Sequence, residues 1–152
     1  MMNVYLGLGT NLGDKEQNLR MAVEKIGERI GKIVSLSAFY VTEPWGFSSG
    51  NSFLNAVVCA DTKLPPLQLL NETQAIEREL GRTHKSVNGQ YSDRLIDIDI
   101  LLYGEEVIKT AELVLPHPLM TERRFVMEPL VEIAPDLIHP VFHKTMSELL
   151  DR

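Results

Sequence analysis

A single cysteine, Cys59, stands among the 152 residues, so no disulfide can close within the chain. It sits in the apolar run FLNAVVCA, where a buried, unreactive thiol is the expected state. Long hydrophobic runs are missing too. None approaches the roughly 20 residues of a membrane span. The first residues, MMNVYLGLGTNLGDK, have neither the basic start nor the apolar stretch of a secretory leader. Positive charge is in deficit: 15 Lys and Arg against 21 Asp and Glu give a net charge of −6. That balance argues against a general nucleic-acid binder, whose footprint is a basic face. A cytoplasmic protein is expected, with no membrane and no nucleic acid among its partners. No repeat, low-complexity tract or linker interrupts the chain. Its length and its 44% hydrophobic content suit one domain over 1–152.

What is present alternates between two periods. NVYLGLG (3–9) reads as a buried first strand. Asp14 is placed to cap a helix running to about Ile30, with Leu19, Ala22, Val23, Ile26 and Ile30 on one face. KIVSLSAFYV (32–41) and FLNAVVCADT (53–62) read as strands. PPLQLLNETQAIEREL (65–80) reads as a second helix, with proline at its start and Gly81 after its end. A polar loop, 81–93, leads into the strand-like SDRLIDIDILLYG, and a turn at Gly104 points to a hairpin. Short helices are expected near 121–127 and 143–151. The order β-α-β-β-α-β followed by an extension is that of an α+β, ferredoxin-like fold, an antiparallel sheet with helices packed on it.

The chemistry concentrates around that last strand. Successive strand residues point to opposite faces. Ile96, Ile98 and Ile100 therefore share one face, turned toward the helices, while Leu95, Asp97, Asp99 and Leu101 share the other, expected to be open. The two carboxylates stand side by side, with Cα atoms roughly 6.5–7 Å apart. Like charges that close repel unless a cation lies with them, and Mg²⁺ is commonly held by one or two carboxylates plus phosphates and water. Arg82, His84, Lys85 and Arg94 flank this strand in sequence, and LPHPLMTERRF adds His117, Arg123 and Arg124. Carboxylates for metal, ringed by Arg and His for phosphate oxygens, suit phosphoryl transfer. A solvated polar face is the plainer alternative. GLGTNLG (7–13) has the spacing GxGxxxG, so it is no dinucleotide fingerprint, and no GxxxxGK[ST] loop occurs. Trp45, Phe47 and Phe53 could wall a flat heterocycle, and Asn55 could pair with a ring amide edge.

Taken together, YLGLGTNLGD, FYVTEPWG, FLNAVV, RLIDIDILLYG and LPHPLMTERRFVMEPLVEIAPDLIHP resemble the 6-hydroxymethyl-7,8-dihydropterin pyrophosphokinase family over nearly the whole chain. The resemblance implies transfer of the β,γ-diphosphate of ATP to the pterin hydroxymethyl group, leaving AMP, in folate biosynthesis. It implies ATP and 6-hydroxymethyl-7,8-dihydropterin as partners and two Mg²⁺ ions held by Asp97 and Asp99. It implies catalytic roles for Arg82, Arg94, Asp97, Asp99 and His117. Gln74, Glu77, Lys85, Arg94, His117 and Arg123 fall at nucleotide positions. Thr42, Pro44, Trp45, Phe53, Asn55, Tyr91 and Phe125 fall at pterin positions. A monomer is expected. The chain departs from the family where Tyr91-Ser92-Asp93-Arg94 replaces the usual Trp-Gly-Pro-Arg, and where Glu112 stands in place of an Arg. Another Mg²⁺-dependent phosphotransferase or phosphohydrolase, and a non-enzymatic binding module, for RNA for instance, remain alternatives on the same scaffold.

Overall fold

The computed structural model describes residues 1–42, 52–81 and 95–151. Strand β1 (Met2–Thr10) leads into helix α1 (Lys15–Arg29), then β2 (Gly31–Leu36), β3 (Tyr40–Thr42) and β4 (Phe53–Thr62). Helix α2 (Pro66–Gly81) precedes β5 (Asp97–Tyr103). A small hairpin, β6 (Ile108–Lys109) and β7 (Val114–Leu115), is followed by a 3-10 turn at Met120–Glu122, α3 (Arg124–Ile133) and α4 (Met146–Leu150). The main sheet runs β2-β4-β1-β5, with β3 also paired to β4, and every pairing is antiparallel. This is the ferredoxin-like order, with its second strand split in two.

Local chemistry sets most boundaries as expected. Asp14 caps α1, its Oδ1 accepting the Gln17 N–H at 3.1 Å. Pro66 opens α2 where its missing N–H costs nothing. Leu19, Ala22, Ile26, Leu69 and Ile76 are fully buried against Val4, Leu6, Ile98 and Ile100. Each large side chain there contributes about 1.5–3 kcal/mol by leaving water. Arg29 ties the two helices together on the outside by bonding Glu72 and Glu79. Cys59 is buried, as its apolar surroundings implied.

Three expectations need correction. The strand expected over 32–41 breaks at 37–39, because side chains take over its hydrogen bonds. The Ser37 hydroxyl accepts the Val57 N–H at 2.9 Å, and the Ala38 N–H donates to Glu132. The second sheet face is not open: Val57, Leu101 and Leu102 are buried there under Met127, Leu130, Met146 and Leu149 from the extension. A register shift between β1 and β5 turns Leu101 and Leu102 to this face together. The end of that face carrying Asp97 and Asp99 stays partly exposed. Helix α3 also runs further than expected, through Pro129 to Ile133. Pro129 sits six residues into the helix, where its missing N–H deprives only the Phe125 carbonyl of a partner.

Candidate active site

The site grows from the register of three strands. Asn55 of β4, Gly9 of β1 and Asp97 of β5 lie in one row across the sheet, and Val57, Gly7 and Asp99 in the row two residues away. Residues directly opposite in an antiparallel pair project to the same face. The middle strand therefore offers bare backbone between an amide on one side and carboxylates on the other. A Cβ at Gly9 would lie 2.9 Å from Asn55 Oδ1 and 3.9 Å from the Phe53 ring. The two glycines form the floor of a trough, a role their place in a strand could have signalled. The sequence reading had put both glycines in the first strand without giving them this role.

Acid groups crowd one wall. Glu77, from α2, accepts the Ile98 N–H at 2.7 Å and thereby satisfies an amide of the edge strand β5. Burial raises its carboxyl from the ordinary 4.5 to about 7, and hydrogen bonding and repulsion from Asp97, with repulsion from Asp99, push the same way. The Ile98 N–H pulls against them. Gln74, one turn earlier on α2, is exposed.

The cations come from the extension. The His117 N–H donates to the Leu101 carbonyl at 2.9 Å, which anchors it beside β5. Its Nδ1 accepts the Leu119 N–H at 3.2 Å, so the neutral ring carries its proton on Nε2. Burial lowers the His117 pKa, neighbouring Arg123 lowers it further, and Asp97 offsets part of this. Arg123 lies over the Phe125 ring, 5.6 Å from its centroid. On the opposite wall Asn55 is 5% exposed, and its Nδ2 donates to Thr42 Oγ1 at 2.6 Å.

Asp97, Asp99, Glu77, His117 and Arg123 thus meet at one end of the trough, and Thr42, Asn55 and Phe53 meet at the other. Arg82, Lys85, Arg94, Pro44, Trp45 and Tyr91 lie outside the described residues. No three His, Cys, Asp or Glu side chains among the described residues group to hold a metal by themselves. A cation here would complete its shell with phosphate oxygens and water, which is the habit of Mg²⁺. The donor set fits it: the carboxyl groups offer oxygen only, and one of them, Glu77, is driven toward neutrality first by burial and then by Asp97 and Asp99.

The raised Glu77 carboxyl has a measurable effect on stability. The folded protein holds this proton more tightly than the unfolded chain, so its contribution is full below about pH 4.5 and is lost as pH rises through about 7. In metal-free protein, raising the pH from 5 to 8 is expected to cost wild type a few degrees of Tm relative to Glu77→Gln. The difference between the two melting curves isolates this group, because the depressed His117 and His139 act in the opposite direction. Parallel curves would show that Glu77 is an ordinary carboxylate.

Carboxylates and cations for a polyphosphate at one end, with a buried amide and aromatic ring at the other, suit an enzyme that moves a phosphate-containing group onto a flat polar ring. The family model described as 7,8-dihydro-6-hydroxymethylpterin-pyrophosphokinase matches residues 5–135, and the chain belongs to that family. It is accordingly a diphosphotransferase of folate biosynthesis, and the binding-module alternative falls. The 2-amino-4-hydroxy-6-hydroxymethyldihydropteridine pyrophosphokinase of Porphyromonas gingivalis is 54% identical over 141 residues, 92% of this chain and 95% of that one. The Aquifex aeolicus protein of the same name is 43% identical over 148 residues, 97% of this chain and 90% of that one. Among solved structures, wild-type Plasmodium falciparum HPPK-DHPS superposes with a TM-score of 0.79 at 17% identity, which speaks for the fold. That match covers 99% of this chain but 44% of the longer one, so this chain spans less than half of its length.

Proposed function

We propose that diphosphate transfer takes place in this trough, with the triphosphate of ATP over Asp97 and Asp99 and the pterin between Asn55 and the aromatic rings. The observation that carries the reading is the single sheet row Asn55–Gly9–Asp97, which sets a ring-edge amide and a metal-type carboxylate on either side of a side-chain-free strand. Asp97 and Asp99 would hold Mg²⁺, which when bound neutralises charge on the triphosphate. The Asn55 amide, oriented by Thr42, pairs with the ring edge, and Phe53 and Phe125 cover the ring faces. His117 offers its Nε2–H, and Arg123 its guanidinium, to phosphate oxygens. The hydroxymethyl oxygen attacks the β-phosphorus, and the bond from that phosphorus to the α,β-bridging oxygen breaks. AMP departs with the bridging oxygen, and the hydroxyl proton passes to solvent. A loose transition state makes little demand on a base, so positioning and charge neutralisation carry the rate.

As a proposal, the chain works as one domain and as a monomer in the cytoplasm. No described helix is long and apolar enough to cross a membrane. The reaction is tested by its products. With Mg²⁺, ATP and the hydroxymethyl-dihydropterin, AMP and pterin diphosphate should appear in equal amounts, and chelation of Mg²⁺ should stop both. ADP, orthophosphate or no turnover would overturn the assignment.

A further inference from the structure

Between β2 and β3 the chain leaves the ladder, and a carboxylate from a distant helix fills the gap. The Ala38 N–H donates to both oxygens of Glu132, at 3.1 Å each, and the Tyr40 hydroxyl donates to Glu132 Oε1 at 2.6 Å. That bond, more than burial, pushes the Tyr40 hydroxyl up to about 12, so it remains a donor at physiological pH. Tyr40 stands opposite Asn55, and Thr42 opposite Phe53. Thr42 then receives the Asn55 amide. One chain of contacts therefore runs from Glu132 through the three residues of β3 to the amide on the trough wall.

We propose that Glu132 is a positioning residue that sets how the enzyme presents Asn55 to its ring substrate. This rests on the reading of Asn55 as a ring contact. Helix α3 does not need Glu132 to stay in place, since Val126, Met127 and Leu130 already bury it in the second core. Strand β3 is held by its ladder to β4, and among the described residues Glu132 adds the tie on its open side. Three residues on a sheet edge make a short ladder, so one further tie weighs heavily on where they lie. The same helix begins at Arg124, between Arg123 and Phe125, on the other side of the trough. Its two ends thus brace both walls, and loss of the Glu132 end should loosen one wall only.

The test separates this from a plain stabilising contact. Glu132→Gln is expected to raise the KM for the hydroxymethyl-dihydropterin about fivefold, the scale of one charge-assisted hydrogen bond partly lost to solvent. The KM for ATP and kcat should stay within about twofold, and Tm should barely move. Tyr40→Phe should give part of the same rise, and the double variant no more than Glu132→Gln alone. Unchanged pterin KM in both single variants, while Asn55→Ala raises it, would overturn the role of Glu132 and leave the ring site standing. Equal rises for both substrates with a lowered Tm would show a structural contact and nothing more. If Asn55→Ala itself leaves the pterin KM unchanged, the ring-site reading and this proposal both fail.

Discussion

Asp97→Asn is expected to lower kcat by about three orders of magnitude or more, because it removes a charge from the centre that must neutralise the triphosphate. The substitution keeps the shape of the side chain. An amide can also still hydrogen bond to Glu77, which shares a bond with Asp97 in the wild type. The fold should therefore survive. The charges of Asp97 and Asp99 both repel that of Glu77, so the metal-free variant should melt close to the wild-type temperature or slightly above it. A gain in stability with a loss of activity is the signature of a functional charge cluster. Rate assays under saturating Mg²⁺ and ATP, with a melting curve of the same preparation, check both halves. Retained turnover would remove Asp97 from the metal site, and a sharply lowered Tm would make the lost rate a folding effect.

Gly9→Val is expected to cost at least a hundredfold in kcat/KM for the pterin. A Cβ there already stands 2.9 Å from Asn55 Oδ1, and that amide is buried and held by Thr42. Valine would add two methyl groups above the floor, where the ring has to lie. The strand itself should accept the residue, since valine suits β structure better than glycine does. The expected result is thus a correctly folded protein with an occluded trough. Displacing the held Asn55 amide should also lower Tm by a few degrees, so circular dichroism at the assay temperature must still show the folded form while titration with the pterin fails. Normal pterin affinity would show that the ring does not lie over β1.

The core of the fold was legible because it is local. The 3.6 period of Leu19, Ala22 and Ile26, the Asp14 cap and the proline at the head of α2 each act within a few residues of themselves. The alternation of Ile96, Ile98 and Ile100 likewise placed Asp97 and Asp99 on the far face, correctly. What was hidden depends on partners far away in sequence. The break at 37–39 is stable because Glu132 reaches back to Ala38 across 94 residues. Nothing in KIVSLSAFYV announces that carboxylate. The shift that turns Leu101 and Leu102 to one face is imposed by pairing with β1, and the cover over them comes from residues 120–149.

The site shows the same division. Asp97, Asp99, His117 and Arg123 were visible as chemistry, since charged groups stand out by type. That they belong to one constellation was expected too, but the means was not legible, because His117 arrives through a backbone bond to Leu101. Gly7 and Gly9 were visible as letters but not as a floor, for only the register against Asn55 and Asp97 gives them that role.

The two-sided packing also orders events at the ribosome. The first apolar layer is complete once β5 has paired with β1 and Leu113 and Leu115 have followed. Until Met127, Leu130, Met146 and Leu149 follow, the other side of the sheet presents Val57, Leu101 and Leu102 to water. A nascent chain halted near residue 116 would therefore carry a nearly finished sheet with one greasy side. Such a product invites chaperone capture or clumping. The segment that waterproofs the sheet is the same one that delivers His117, Arg123 and Phe125. A chain cut short of this segment would therefore lack both its cover and part of its site, and quality control that reads exposed apolar surface would remove such truncated, inactive copies.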